Sequence, residues 1–263
     1  MTTTRAALFE TLETYYDTVP RASTRTEEVG PFTLFLKTDP AGFDYYARPR
    51  LGLAEPVTAD DVRVARSRLV ELGAAQNFEW VHETTPSLLA AARTAGLAVL
   101  EAPLLVLGSP GAPAAAASGA LDAGVRVEVL TGSAPMLAAV TGAVHAGFAG
   151  TDEVAPQSLG RRAGLVEEDL LVNAGAWDDS GALGGGSHSP RGAATELTGI
   201  AVVPRARRRG VGAALTAALV ADATARGIDT VFLSAMDDAV ARIYERVGFA
   251  RVGTACIASA PPR

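Results

Sequence analysis

Lysine is almost absent: Lys37 is the only one in 263 residues, and arginine carries nearly all the positive charge. A nucleotide-binding P-loop of the GxxxxGK[ST] type is thereby excluded, because no lysine stands near a glycine-rich turn. Cysteine occurs once, at Cys256. An intramolecular disulfide and a cysteine-based zinc cluster are both ruled out, and this usage suits a reducing cytosol. No apolar run reaches the roughly 18–20 residues of a membrane span. The opening Met1–Arg5 leads into an amphipathic stretch rather than an apolar signal core. The expectation is a soluble cytoplasmic protein with no bound metal.

What is present is a globular composition, 48% apolar and 20% charged. The net charge of −6 argues against nucleic acid as a general partner. The length suits two domains of about 110–140 residues. They are expected at 1–107 and 125–263, joined through a small, uncharged Pro/Gly/Ala stretch at 108–124 that contains Gly108, Pro110 and Pro113.

In the first half, a helix is expected over 5–18 and a strand over Pro31–Leu36. A helix capped at Thr58 runs to Gly73, with Val62, Ala65, Leu69 and Leu72 on one face. A strand at Asn77–His82, a helix at Pro86–Ala95 and a strand at Ala98–Leu107 follow. In the second half come a strand at Val125–Leu130, a helix at Ala134–Phe148 and hairpin arms near Leu170–Gly175 and Ala182–Gly185. The strand Glu196–Val203 ends at Pro204. A helix with Val211, Ala214, Leu215, Ala218 and Leu219 on one stripe starts after it, and Asp222 interrupts that stripe. A strand at Thr230–Ser234, a helix at Asp238–Arg246 and a strand at Val252–Ile257 close the chain. The class is α/β with a mixed sheet.

Between Pro204 and the striped helix lies Arg205-Ala206-Arg207-Arg208-Arg209-Gly210-Val211-Gly212. The first N–H groups of a helix have no intrahelical partner, and the macrodipole adds about half a positive charge there. Gly210 and Gly212 remove the Cβ atoms that would hold a phosphate away, and the arginines at 205, 207, 208 and 209 add cationic arms. A ligand with several phosphates is implied. A dinucleotide fold would want a small residue where Leu215 stands and an acid at the end of the next strand. Asp229 precedes that strand instead.

Leu197–Pro204 followed by RARRRGVGAAL resembles motif A of the GNAT acetyltransferase superfamily. Ala241-Arg242-Ile243-Tyr244-Glu245-Arg246-Val247-Gly248-Phe249, about thirty residues on, is similar to its motif B. The pairing is far more specific than either motif. The resemblance covers about 125–257 and implies a GNAT acyl-CoA N-acyltransferase fold using acetyl-CoA. By the family pattern, backbone of Ile200, Ala201 and Val202 would pair with pantetheine. Backbone N–H groups of Arg208, Arg209, Gly210, Val211, Gly212 and Ala213 would cradle the pyrophosphate, with Arg207 in the same loop. Asp237 stands where the family often has asparagine, and Val240 where it has alanine.

Acetyl transfer to an amine needs a group to take the amine proton and one to stabilise the departing thiolate. Tyr244 matches the family tyrosine near the thioester sulfur. Glu196 is the candidate base, and strand alternation would put it on one face with Thr198, Ile200 and Val202. A glutamate here resembles the base of the histone acetyltransferase branch. His188, in a glycine-rich and flexible-looking stretch, is the alternative base. His145 and His82 are given no catalytic part, and Trp177 with Asp178 and Asp179 reads as a turn. Cys256 could accept an acyl group, but an apolar strand without a neighbouring base makes it a buried structural thiol.

Residues 1–107 lack both motifs. Thr85–Val99 echoes the helix–glycine–strand ending of motif B, so this half resembles a degenerate GNAT-like domain of a tandem protein. The aromatic and arginine-rich Phe43–Arg50 reads as a cleft wall or a packed loop. The function expected is transfer of an acetyl group to a primary amine, on a small molecule, an amino acid or a protein. A non-catalytic acyl-CoA sensor is the alternative. No nucleic acid or membrane partner is expected, and the oligomeric state is open between monomer and homodimer.

Overall fold

The computed structural model describes residues 4–39, 43–108 and 121–261. Most of the expected linker, 109–120, lies outside the described residues. Contacts divide the chain into two compact units. One is Met1–Leu104 with Ser234–Asp238 and Val252–Arg263, and the other Leu105–Leu233 with Ala239–Arg251.

The first unit opens with α1 (Arg5–Arg21), capped by the Thr4 hydroxyl, which accepts from the Ala7 N–H. Its buried face carries Phe9, Leu12, Tyr15 and Tyr16. β1 (Thr24–Val29) was not expected, because TRTEEV has no apolar alternation. It exists through its pairing with β2 (Phe32–Lys37), in register from Thr24↔Lys37 to Val29↔Phe32. β3 (Ala47–Pro49) pairs antiparallel with β2. α2 (Ala59–Glu71) starts at a complete capping box between Thr58 and Asp61, as the sequence suggests. β4 (Phe78–Val81), α3 (Ser87–Thr94) and β5 (Ala98–Leu107) follow. Phe32, Leu34, Val62, Leu69, Phe78, Trp80 and Leu88 form the core. In the aromatic stretch Phe43 is exposed, whereas Arg48 is buried. Its guanidinium donates to Glu13 at 3.1 Å and lies 4.4 Å from the Tyr16 ring centre. Burial there also pushes the Glu79 carboxyl up to about 7.

The second unit contains β6 (Arg126–Leu130), α4 (Leu137–Ala149), α5 (Arg162–Glu167), β7 (Val172–Asp178), β8 (Gly181–His188) and β9 (Ala194–Val202). A 3₁₀ turn at Pro204–Ala206, α6 (Val211–Ala225), β10 (Thr230–Ser234) and α7 (Asp238–Glu245) come next, and β11 (Phe249–Ser259) returns to the first unit from Val252 on. The strand order is β10-β9-β8-β7-β6. β6 to β9 are antiparallel, and β9 and β10 run parallel. Ala255–Ala258 of β11 pair with β4 in the first unit.

Three consecutive glycines in β8 suggested a flexible tip. They form a buried strand, because both helices sit against the backbone. A Cβ on Gly185 would lie 2.5 Å from Val140 of α4, and one on Gly186 would meet Ile200 at 2.7 Å and Leu219 of α6 at 3.2 Å. The α6 stripe is also rotated from its expected position. Val211, Leu215 and Leu219 are buried as expected, but Thr216, Val220 and Ala223 join them in place of Ala214 and Ala218.

Candidate active site

β9 carries the site's main irregularity. Gly185 pairs with Ala201, but Ser187 pairs with Thr198, so two residues of β8 span three of β9. The extra residue is a bulge at Gly199, whose φ is +62°. The bulge corrects the alternation expected for this strand. Glu196 and Thr198 share α4's face with Ala201, whose Cβ approaches Gly147 of α4. Ile200 and Val202 turn to the α6 face, Val202 Cγ2 lying near Gly212.

The parallel ladder between β9 and β10 runs from Ala194↔Thr230 to Glu196↔Phe232 and stops. Beyond Glu196, β9 stays paired with β8 alone, and its other edge is turned to the space β10 leaves. An extended amide-bearing chain could add to such an edge as a strand would. Glu196 itself is half-buried at the point where the ladder ends.

After β9 the chain makes the loop that the sequence marks as an anion site. Arg208 at φ +62° and Gly210 at φ +77° are both left-handed, an arrangement that turns successive N–H groups toward one side. The Ala214 N–H is the first to close a helical bond, to Gly210. Among the described residues, no backbone hydrogen bond engages the N–H groups of Arg208, Arg209, Gly210, Val211, Gly212 or Ala213. They stand at the positive end of a 15-residue helix.

The arginine side chains do less here than the sequence suggested. Arg205 donates to the Asp152 and Ala182 carbonyls. Arg207 donates to the carbonyls of Val202 and Gly147, and its N–H bonds to Pro204. It is a brace for the loop rather than an arm for a ligand. Arg209 pairs with Asp122 at 2.6 Å and approaches Asp178 at 3.7 Å. Of these arginines, Arg208 alone has no side-chain partner among the described residues.

Tyr244 lies on α7, its ring edge-on to Phe249 with centroids 5.9 Å apart. Burial pushes its phenol up to about 12, so the hydroxyl stays protonated at any physiological pH. Its oxygen has no hydrogen-bond partner among the described residues.

His188 is not placed as a base. It is fully buried in β8, between the Thr195 hydroxyl at 2.9 Å from Nδ1 and Asp222 Oδ2 at 3.0 Å from Nε2. Asp222 also accepts from Arg226, which pairs with Asp169 at 2.7 Å. The polar break in the α6 stripe is thus the carboxylate that satisfies a buried imidazole. Burial holds His188 below its ordinary value of 6.5, outweighing Asp222. A depressed histidine favours folding above the unfolded value, and that stability is lost as pH falls below it. Urea midpoints should therefore drop between pH 7.5 and pH 5, about the ordinary value. Asp222→Ala should cost about 1–3 kcal/mol at pH 7 by orphaning Nε2. An unchanged midpoint would show that the network contributes nothing to the fold.

The remaining candidates fall away from the chemistry. His145 is exposed, and His82 is half-buried with Nδ1 unpartnered. Cys256 is fully buried, and its thiol is pushed up to about 12, chiefly by burial, so it offers no thiolate near neutral pH. Trp177 and Asp178 belong to β7, which has a register shift at Ala176/Trp177. Among the described residues, no cluster of histidine, cysteine and carboxylates could hold a metal, and no helix is long and apolar enough to cross a membrane.

The sequence model of the acetyltransferase (GNAT) family matches residues 149–249. A GCN5-related N-acetyltransferase from Kribbella flavida shares the fold with a TM-score of 0.75, over 97% of this chain and 96% of that one, at 21% identity. A GCN5-related N-acetyltransferase-like protein from Streptococcus suis superposes with a TM-score of 0.58, over 93% of each chain, at 11% identity. A tandem GNAT protein from the clavulanic acid biosynthesis pathway gives 0.53, over 88% of this chain and 78% of that one, at 15% identity. No functionally curated protein matches in sequence. The chain has the GNAT fold, and residues 149–249 within it match the GNAT acetyltransferase family. The family match over these residues, together with the fold, supports acyl transfer in general.

Proposed function

We propose that this protein transfers an acetyl group from acetyl-CoA to a primary amine, by direct attack of the amine within a ternary complex. The observation that carries this reading is the run of unengaged N–H groups from Arg208 to Ala213, beside a β9 edge that β10 leaves at Glu196. The amides suit the pyrophosphate, and the edge at Ile200, Ala201 and Val202 suits the amide-bearing pantetheine. Arg208 adds the cation that its neighbours have spent elsewhere. The cosubstrate supplies an activated thioester.

The chain's own residues then manage protons. Glu196, at the end of the ladder, accepts the proton of an ammonium whose free pKa is about 10. Tyr244 donates a hydrogen bond to the departing sulfur. Direct transfer is favoured over an acyl-enzyme because the single thiol, Cys256, is buried and protonated.

The test is free-thiol release from acetyl-CoA across a panel of primary amines. Release that depends on both substrates is expected, and Glu196→Gln should flatten the acidic limb of the rate–pH profile while leaving acetyl-CoA binding intact. Tight acetyl-CoA binding with no release on any amine would favour a sensor instead. A profile of unchanged shape in Glu196→Gln would remove that residue as the base.

A further inference from the structure

The face of the second unit's sheet that α4 covers is polar at one end. There Asn173 of β7, Ser187 of β8 and Thr198 of β9 are successive cross-strand partners, so their side chains stand in one row. Ser187 Oγ lies 3.1 Å from Thr198 Oγ1. Glu196 is two residues from Thr198 and shares its face. The next row is Gly175, Gly185 and Ala201, where α4 sits directly on the sheet.

α5 sends Arg162 onto this row. Its Nε and Nη2 both donate to Asn173 Oδ1, at 3.0 and 2.5 Å. Nothing else among the described residues partners that guanidinium. By contrast Arg126, Arg161, Arg205, Arg209 and Arg226 of this unit each pair with a carboxylate. Burial pulls Arg162 below its ordinary pKa, with no acid to offset it. Asn173 is 2% exposed. Its Oδ1 is committed to Arg162, so Nδ2 is a donor, and it has no partner. A guanidinium without a counter-ion and a buried amide N–H without an acceptor thus stand side by side. Each such group left unmatched costs on the order of 1–3 kcal/mol, more when charged. Both lack the same thing, a planar anion that accepts from two directions.

We infer that Arg162 and Asn173 bind a carboxylate of the acceptor substrate, on the sheet face that also carries Glu196. The inference rests on the acetyl-transfer reading and specifies its acceptor. The geometry limits that acceptor further. β7 and β9 are two strand spacings apart, about 10 Å. In an α-amino acid the nitrogen and the carboxyl carbon are only about 2.5 Å apart. The acceptor that reaches both groups is therefore an amine separated from its carboxylate by several bonds, such as an ω-amino acid or an amino acid whose side-chain amine is the one acetylated.

The experiment compares δ-aminovalerate, glycine and n-pentylamine, reading binding by calorimetry and turnover by thiol release. Wild type should bind δ-aminovalerate at least tenfold more tightly than either other compound. Arg162→Gln should raise its KM at least tenfold with little change in kcat, and leave n-pentylamine unaffected. Arg162→Lys, which keeps the charge but loses the planar fork, should recover part of the affinity. Equal binding of the three compounds, or an equal loss for all of them in Arg162→Gln, would overturn the inference and leave Arg162 a brace for α5. Arg162-dependent binding of δ-aminovalerate without thiol release would uphold the subsite and sink acetyl transfer.

Discussion

Replacing Tyr244 by phenylalanine is expected to lower kcat by about two orders of magnitude, the usual worth of one positioned proton donor. The dissociation constant for acetyl-CoA should stay close to that of the wild type. Removing the oxygen leaves the edge-on contact with Phe249 in place and orphans no described partner. A loss of rate would therefore not reflect unfolding, and an unchanged melting temperature checks this. The elevated pKa shapes what the hydroxyl can do. With the phenol at about 12 and a free thiol near 8.5, complete proton transfer to a thiolate would be uphill by about 5 kcal/mol. The useful contribution is a hydrogen bond to sulfur as charge develops on it, a stabilisation made only in the transition state. The same value implies that any alkaline decline of the wild-type rate below about pH 11 arises elsewhere, and Tyr244→Phe should retain it. A kcat close to wild type would dismiss Tyr244 from the chemistry.

The parts of this protein that were legible in sequence are those whose cause is local. The Thr58/Asp61 capping box, the strand at Thr230–Ser234 and the glycine turn that starts α6 are each specified by a few adjacent residues. The two motifs around Gly210 and Tyr244 are local in the same way, and their spacing pointed to the family. What was missed depends on pairing across strands. β1 has no apolar pattern of its own and is held by β2. The glycines of β8 looked flexible because the helices that bury them are distant in sequence. The bulge at Gly199 shifts faces within one strand, which a period of two cannot foresee, so Ile200 and Val202 parted from Glu196. Arg162 and Asn173 gave no signal, since an arginine without a counter-ion is recognised only once its surroundings are known. Asp222 did leave one: a carboxylate interrupting an apolar stripe asks for a buried partner, and His188 is that partner.

Gly210→Val should abolish measurable acetyl-CoA binding, an expected loss of at least a hundredfold, while the rest of the fold survives. The residue occupies φ +77°, ψ −7°, where a β-branched side chain is a steric outlier and strain of order 1–3 kcal/mol is usual. Relief of that strain would swing the peptide units on either side. The N–H groups of Val211 and Gly212, which depend on the Gly210 turn for their direction, would then no longer converge with those of Arg208 and Arg209. Loss of two charge-assisted hydrogen bonds to phosphate, at about 1.5–3 kcal/mol each, accounts for the expected factor. Gly210→Asn provides the control, because asparagine tolerates the left-handed region. It should bind within about tenfold of wild type, because it keeps the backbone turn that directs the neighbouring N–H groups. Calorimetry with CoA, alongside far-ultraviolet circular dichroism, separates the two variants. If asparagine were as damaging as valine, side-chain bulk would be responsible and the backbone cradle would lose its central argument. If both bound normally, the phosphates would have to be held elsewhere, and the arginine-rich loop would be no more than a helix start facing water.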